Sequence, residues 1–230
     1  MEIFDGLTRN FQFRFKDRVT AANILGEALK DRINKQEQKG ALIIGIPRGG
    51  VITADIVAKK LSADFEIVIP RKLTDQDNKE HAIGAIMEDG TTYLDQDVTN
   101  HLQISSEYME KEKSYQMQEI TRRASLFRKP GLQYNVKGKT VILVDDGVAT
   151  GATIIAAARW IRKQQPSRLI IAVPVAPKDT INLLKEECDA VEVITNPSNF
   201  HAVGQYYQSF DPVTDEQVIK IMQDRNLLPR

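Results

Sequence analysis

Residues Val141 to Thr153 read VILVDDGVATGAT. Val141-Ile142-Leu143-Val144 is apolar, unbroken and mostly β-branched, the pattern of a buried parallel strand. Asp145 and Asp146 follow at its carboxyl end, where open α/β sheets bind ligands. Gly147 to Gly151 permit a tight turn that offers backbone N–H groups to an anion at a helix N-terminus. Thr150 and Thr153 add hydroxyl donors. An ordinary strand–turn–helix with a surface acidic pair and a capping threonine is the plainer alternative. It has to produce an apolar strand, an acidic pair, a TGxT turn and a helical continuation by coincidence. The order suits a cradle for a phosphorylated sugar. Two other nucleotide patterns fail. Gly138-Lys139-Thr140 has no glycine five residues earlier and precedes a strand rather than a helix, and no G-x-G-x-x-G occurs.

Upstream, Ala41 to Ile46 reads as a buried strand, Pro47-Arg48-Gly49-Gly50 as a turn, Val51 to Leu61 as a helix and Phe65 to Ile69 as a second strand. This order predicts parallel strands. Arg48 is a forked cation suited to phosphate oxygens, and Gly49 and Gly50 permit close backbone approach. Before this unit, Val19 to Ile33 carries a helical apolar stripe of Ala22, Leu25, Ala28, Leu29 and Ile33. Arg71 to Glu80 lacks periodicity and reads as an exposed mobile loop after the second strand. Ala82 to Met87 and Thr91 to Leu94 form a hairpin around Glu88-Asp-Gly90. Thr99 to Arg128 reads as one long charged helix, whose Arg122 and Arg123 could reach a phosphate but fit a solvated face better. After the motif come a helix over Thr153 to Lys163, a strand over Leu169 to Val173, a helix over Asp179 to Glu187 and a strand over Val191 to Ile194. Thr195 to Phe210 is irregular and aromatic, and Asp215 to Arg225 reads as a closing helix.

The chain has 230 residues and 42% apolar content, enough for one large α/β domain. Its 31 basic and 31 acidic residues balance, which argues against a nucleic-acid or membrane-surface partner. Cys188 is alone, so no intramolecular disulfide can form, as suits a reducing cytosol. The first residues show no signal-peptide pattern, and no apolar run approaches a membrane span. His101 and His201 show no metal-ligand spacing.

VILVDDGVATGAT resembles the signature of type I phosphoribosyltransferases, which bind 5-phosphoribosyl-1-pyrophosphate (PRPP). The resemblance implies an α/β, Rossmann-like fold: a mostly parallel twisted sheet flanked by helices. It implies one domain over residues 1–230, with a core at about 40–195 and an inserted flap and helix at 71–130. A variable hood would come from 195–213, with the N-terminal segment as a further candidate. Asp145 and Asp146 would contact the ribose hydroxyls and magnesium, directly or through water. Gly147, Val148, Ala149, Thr150, Gly151, Ala152 and Thr153 would wrap the 5′-phosphate. Arg48, Gly49 and Gly50 would form the pyrophosphate turn, often a site of a strained or cis peptide. Arg71 and Lys72 would join Asp145 and Asp146 as catalytic residues, at the root of a closing loop that includes Lys79, Glu80 and His81.

The implied reaction is magnesium-dependent transfer of phosphoribosyl from PRPP to a nitrogenous base with release of pyrophosphate, in nucleotide salvage. Ala149 stands where hypoxanthine–guanine-type relatives carry an Asp near the purine, so the loop offers no general base. Phe200, Gln205, Tyr206 and Tyr207 are candidates to hold the heterocycle, or alternatively to fill core. The resemblance also extends to uncharacterised phosphoribosyltransferase relatives with the PRGG turn and an AVGxxY-like ending. A homodimer is expected on family grounds. The alternative is a PRPP- or nucleotide-sensing regulatory protein on the same fold, without transferase activity.

Overall fold

The computed structural model describes residues 13–79, 81–129 and 135–229. Its main sheet is five-stranded and wholly parallel, in the order β2-β1-β6-β7-β8. The strands are β1 (Leu42–Gly45), β2 (Asp64–Ile67), β6 (Thr140–Val144), β7 (Arg168–Val175) and β8 (Ala190–Thr195). From β1 the chain runs outward to β2. It later re-enters on the other side of β1 and continues from β6 to β8. The direction of winding therefore reverses between β1 and β6, the switch point at which doubly wound sheets open a crevice for ligands. The register Leu42↔Val141 to Gly45↔Val144 brings the carboxyl ends of these two strands level.

Alternation along the buried strands supplies two apolar faces. Ile43, Ile142 and Ile170 pack with helices α1 (Arg18–Arg32), α3 (Gly49–Leu61) and α8 (Asp215–Asp224). Leu42, Ile44, Leu143 and Ile171 pack with α6 (Ala152–Lys163) and α7 (Lys178–Glu187). A four-residue helix, α2 (Lys35–Gln38), lies between α1 and β1 with a capping box between Asn34 and Glu37. The parallel sheet, its flanking helices and the crossover order agree with the α/β reading of the sequence.

The segment between β2 and β6 differs from expectation. Arg71 to Thr74 is strand β3, not a mobile loop, and it opens a separate antiparallel sheet with β4 (Ala82–Ile86) and β5 (Thr92–Leu94). Arg71 and Lys72 thus begin a strand instead of rooting a loop. No periodicity betrayed it because Leu73 is its only fully buried apolar residue, while the rest of the strand is held by polar contacts. Helix α5 (Ser106–Phe127) supplies those contacts. Glu112 accepts hydrogen bonds from the Thr74 amide at 3.2 Å and hydroxyl at 3.0 Å. Gln116 accepts one from Arg71 at 2.9 Å, and Tyr108 donates to the Thr74 carbonyl at 2.7 Å. Lys79 donates to that Tyr108 hydroxyl at 2.7 Å, and the His81 carbonyl accepts from the Asp75 amide at 3.0 Å. Glu80 lies outside the described residues.

The long helix is also two helices. α4 (Gln96–His101) and α5 are separated by Leu102–Ser105, where Gln103 adopts positive φ and Ser105 caps the second helix. Among the described residues no helix is long and apolar enough to cross a membrane.

Candidate functional site

Two turns meet at the switch point. The Ile46 amide donates to the Val144 carbonyl at 3.1 Å, so the β1 turn starts against the end of β6. The Pro47–Arg48 peptide is cis. A Cβ on Gly49 would lie 2.6 Å from Asp146 Cγ, and one on Gly50 would lie 2.6 Å from Asp145 Oδ1. Such approaches are too close for any side chain, so the two glycines let the first turn lie directly on the acidic pair. Sequence positions almost a hundred residues apart thereby form one wall.

The carboxylates are distinct. The Asp146 amide donates to Asp145 Oδ1 at 2.8 Å. Burial, and then the charge of Asp146, push the Asp145 carboxyl well above the usual carboxylate range, while Lys72 pulls it down. Asp146 is raised by burial, against the hydrogen bond and charge of Arg18. Arg18 Nε lies 2.6 Å from Asp146 Oδ2, and the two side chains are only 12% and 13% exposed. The same guanidinium donates to the Asp211 carbonyl at 2.7 Å and stacks 3.7 Å above the Phe210 ring. Sequence reasoning missed Arg18. Its only local signal is Asp17, which caps α1 and so sets where that helix begins.

The motif loop is anchored from beneath. The Val148 amide donates to the Val175 carbonyl at 2.9 Å, and Thr180 donates its hydroxyl to the Ala149 carbonyl at 2.6 Å. Ala149 and Thr150 are exposed above this anchor, with Thr153 half-buried. Gly151 caps α6 at φ 87°, a left-handed conformation that favours glycine, and no side chain caps that helix. Its first-turn amides are therefore available to an anion. Ala152 is buried at the start of α6.

The basic residues divide between two faces of β3. Lys72 acts electrostatically on Asp145. Arg71 turns the other way, to Gln116 of α5. Arg48 is 42% exposed, with its guanidinium 3.6 Å from Asp215 at the start of α8. Arg122 and Arg123 do not share one solvated face. Arg122 is exposed and pairs with Glu119 at 3.1 Å, whereas Arg123 is half-buried with its Nε sealed from solvent.

The aromatic segment packs against the same end of the sheet. The Phe15 amide donates to the Tyr206 carbonyl at 2.7 Å, joining the N-terminal segment to this region. Tyr206 and Tyr207 are buried, Tyr206 donating to the Asn199 carbonyl at 2.6 Å and Tyr207 to the Asp146 carbonyl. Phe200 stacks on Tyr206 with ring centroids 5.2 Å apart. Gln205 accepts from the amides of His201 and Ala202 at 3.0 and 3.1 Å. Among the described residues no group of three His, Cys, Asp or Glu side chains is arranged to enclose a metal ion.

Two relatives from two strains of Mycobacterium tuberculosis, both named "Putative phosphoribosyl transferase", are 35% identical over 208 residues, or 90% of this chain. That alignment covers 46% of each relative, so the chain spans about half the length of the curated relatives it matches. The crystal structure of TT1426 from Thermus thermophilus is 36% identical and superposes with a TM-score of 0.75, covering 92% of this chain and 99% of that one. The profile of the phosphoribosyl transferase domain matches residues 15–210, a span that contains both turns, the acidic pair and β3. The chain belongs to the phosphoribosyl transferase domain family.

Proposed function

We propose that this chain binds PRPP at the switch point and transfers its phosphoribosyl group to a nitrogenous base, releasing pyrophosphate. The observation that carries the reading is the seating of Gly49 and Gly50 on Asp146 and Asp145, which sets side by side the turn we assign to pyrophosphate and the pair we assign to ribose. The Thr150–Thr153 turn and the uncapped α6 N-terminus hold the 5′-phosphate. Asp145 and Asp146 face the ribose. As pyrophosphate departs, positive charge grows on the sugar ring, and carboxylates fixed beside it favour that charge. Lys72, across from Asp145, and Arg48, on the turn, offset charge on the leaving group. Holding donor and acceptor in line supplies the rest, so a protein nucleophile is not required.

Two adjoining carboxylates fit a magnesium ion that arrives with substrate oxygens and water, the usual mode for this ion. Each carboxylate already has one oxygen engaged, Asp145 Oδ1 by the Asp146 amide and Asp146 Oδ2 by Arg18. When bound, magnesium would neutralise part of the pyrophosphate charge. Ala149 leaves the motif loop without a general base, so the incoming nitrogen must lose its proton elsewhere. Phe200 and the Gln205 turn are the hood elements nearest to serving the base.

Incubation with PRPP, magnesium and a panel of nucleobases tests the reading by pyrophosphate release. Turnover with at least one base is expected. Tight PRPP binding with no turnover across the panel would replace the transferase reading with a sensing role.

A further inference from the structure

Three arginines from three elements lie close enough to influence one another: Arg48 on the Pro47–Gly50 turn beside Asp215, Arg71 at the start of β3 bonded to Gln116 of α5, and Arg123 two turns further along α5. Arg123 is the anomalous one. Burial, then the positive charges of Arg71 and Arg48, push its guanidinium below the usual arginine range, against the pull of Asp215. Its Nε is sealed from solvent and has no hydrogen-bond partner. A buried N–H of this kind calls for an acceptor, and a guanidinium remains charged whatever its surroundings.

The carboxylates nearby do not supply that acceptor. Glu119 is taken by Arg122, whose Nε and Nη2 reach it at 3.1 to 3.3 Å. Asp215 Oδ1 stands 3.6 Å from Arg48, beyond hydrogen-bond length, and is itself buried without a hydrogen bond. Arg71 has its Nε engaged by a neutral amide oxygen, on Gln116. A sealed donor, an unbonded carboxylate oxygen and an excess of positive charge therefore coexist in one place. A small multivalent anion with several acceptor oxygens resolves all three, because arginines bind phosphate through forked, charge-assisted hydrogen bonds.

We propose that Arg123, together with Arg48 and Arg71, binds the terminal phosphate of a pyrophosphate group, and that Asp215 is the internal counter-charge which this anion displaces. The proposal rests on the assignment of the Pro47–Gly50 turn to pyrophosphate made above. It adds an arginine from the inserted helix and an acidic residue from α8, neither of which lies in a recognised motif. Asp215 makes the site self-limiting: with no anion it balances the arginines, and it weakens anion binding by like-charge repulsion.

Calorimetry on the full chain with inorganic pyrophosphate and, separately, ribose 5-phosphate distinguishes the two levels of the proposal. Arg123→Gln should weaken pyrophosphate binding by roughly tenfold or more and leave ribose 5-phosphate binding within about twofold. Asp215→Asn should tighten pyrophosphate binding several-fold, a change opposite in sign to that of a merely structural defect. Arg122→Gln, on the exposed side of the same helix, should change neither. Pyrophosphate affinity unaltered by Arg123→Gln, or weakened by Asp215→Asn, would overturn the proposal. If Arg123→Gln fails to fold, Arg123→Lys decides: it keeps the charge and loses the fork, so selective weakening of pyrophosphate supports the site and unchanged affinity sinks it. Wild-type protein that binds pyrophosphate but not ribose 5-phosphate would instead refute the PRPP reading while leaving the arginine site standing.

Discussion

Arg18 and Asp146, 128 positions apart, form a nearly buried ion pair at 2.6 Å. It fastens the start of the first helix to the acidic motif. Breaking a buried pair by removing one partner strands the other charge. Arg18→Met is therefore expected to lower the unfolding free energy by about 3 kcal/mol. The sign with pH follows from the raised Asp146 carboxyl. The folded chain holds that proton more tightly than the unfolded chain, so this group costs stability as pH rises out of the ordinary carboxylate range. Without Arg18 the carboxyl rises further and the cost grows. Urea unfolding at pH 5 and pH 8 should show a larger deficit at pH 8, and an equal deficit at both would contradict the pairing.

A methyl group on either glycine of the first turn would push it off the acidic pair. Gly50→Ala places a Cβ 2.6 Å from Asp145 Oδ1 and 2.9 Å from the Asp145 Cα, backbone that cannot swing aside. Overpacking of this kind costs about 1–3 kcal/mol. The displaced turn should lower PRPP affinity by about tenfold, read by calorimetry, with little change in the far-ultraviolet circular dichroism.

Thr180 holds the motif loop by a 2.6 Å hydrogen bond to the Ala149 carbonyl. Thr180→Val keeps the shape and removes the donor, at an expected cost near 1 kcal/mol. Ribose 5-phosphate should bind several-fold more weakly, and pyrophosphate should be unaffected. Equal loss for both ligands would mean that the loop serves the whole site and not one phosphate.

Glu66 marks a liability at the opposite end of the sheet. It lines a cavity of about 350 Å³ with Asp64, Lys139 and Arg225, and its Oε2 is buried without a hydrogen bond. Burial pushes its carboxyl from 4.5 up to about 7, only partly offset by Arg128. A raised carboxyl costs stability progressively as pH climbs from about 4.5 to about 7, and fully above that. The full shift corresponds to roughly 3 kcal/mol, which partial exposure to solvent reduces to on the order of 1 kcal/mol. Glu66→Gln should thus stabilise the protein at pH 8 and leave it nearly unchanged at pH 4. A destabilised variant at pH 8 would show that the ionised carboxylate has a favourable partner.

Local patterns made the main sheet readable. Buried parallel strands such as Val141–Val144 announce themselves by unbroken β-branched runs, and each turn carried its own glycines. Strand β3 escaped because its fastening is polar and comes from Glu112 and Gln116, some forty residues later. Arg18 escaped, and Arg123 reads as a surface charge ahead of a phosphate contact, for a related reason. On their own helices they look like solvent-facing charges, and only the tertiary fold shows that one meets a buried carboxylate and the other a gathering of like charge. The split between α4 and α5 depended on a Ser105 cap within an otherwise helical charge pattern.

The level register of β1 and β6 has a consequence for how such a protein can diverge. Both turns spring from neighbouring strands, Gly45 opposite Val144, so the gap between them is set by a backbone spacing of about 4.8 Å. Side-chain substitutions can change the charge around that gap but hardly its width. On the proposed reading the two ends of the donor would be measured by main chain, while Phe200 and the turn around Gln205 lie on a separate, irregular segment. Under that reading, acceptor preference would drift there without disturbing the ruler beneath it.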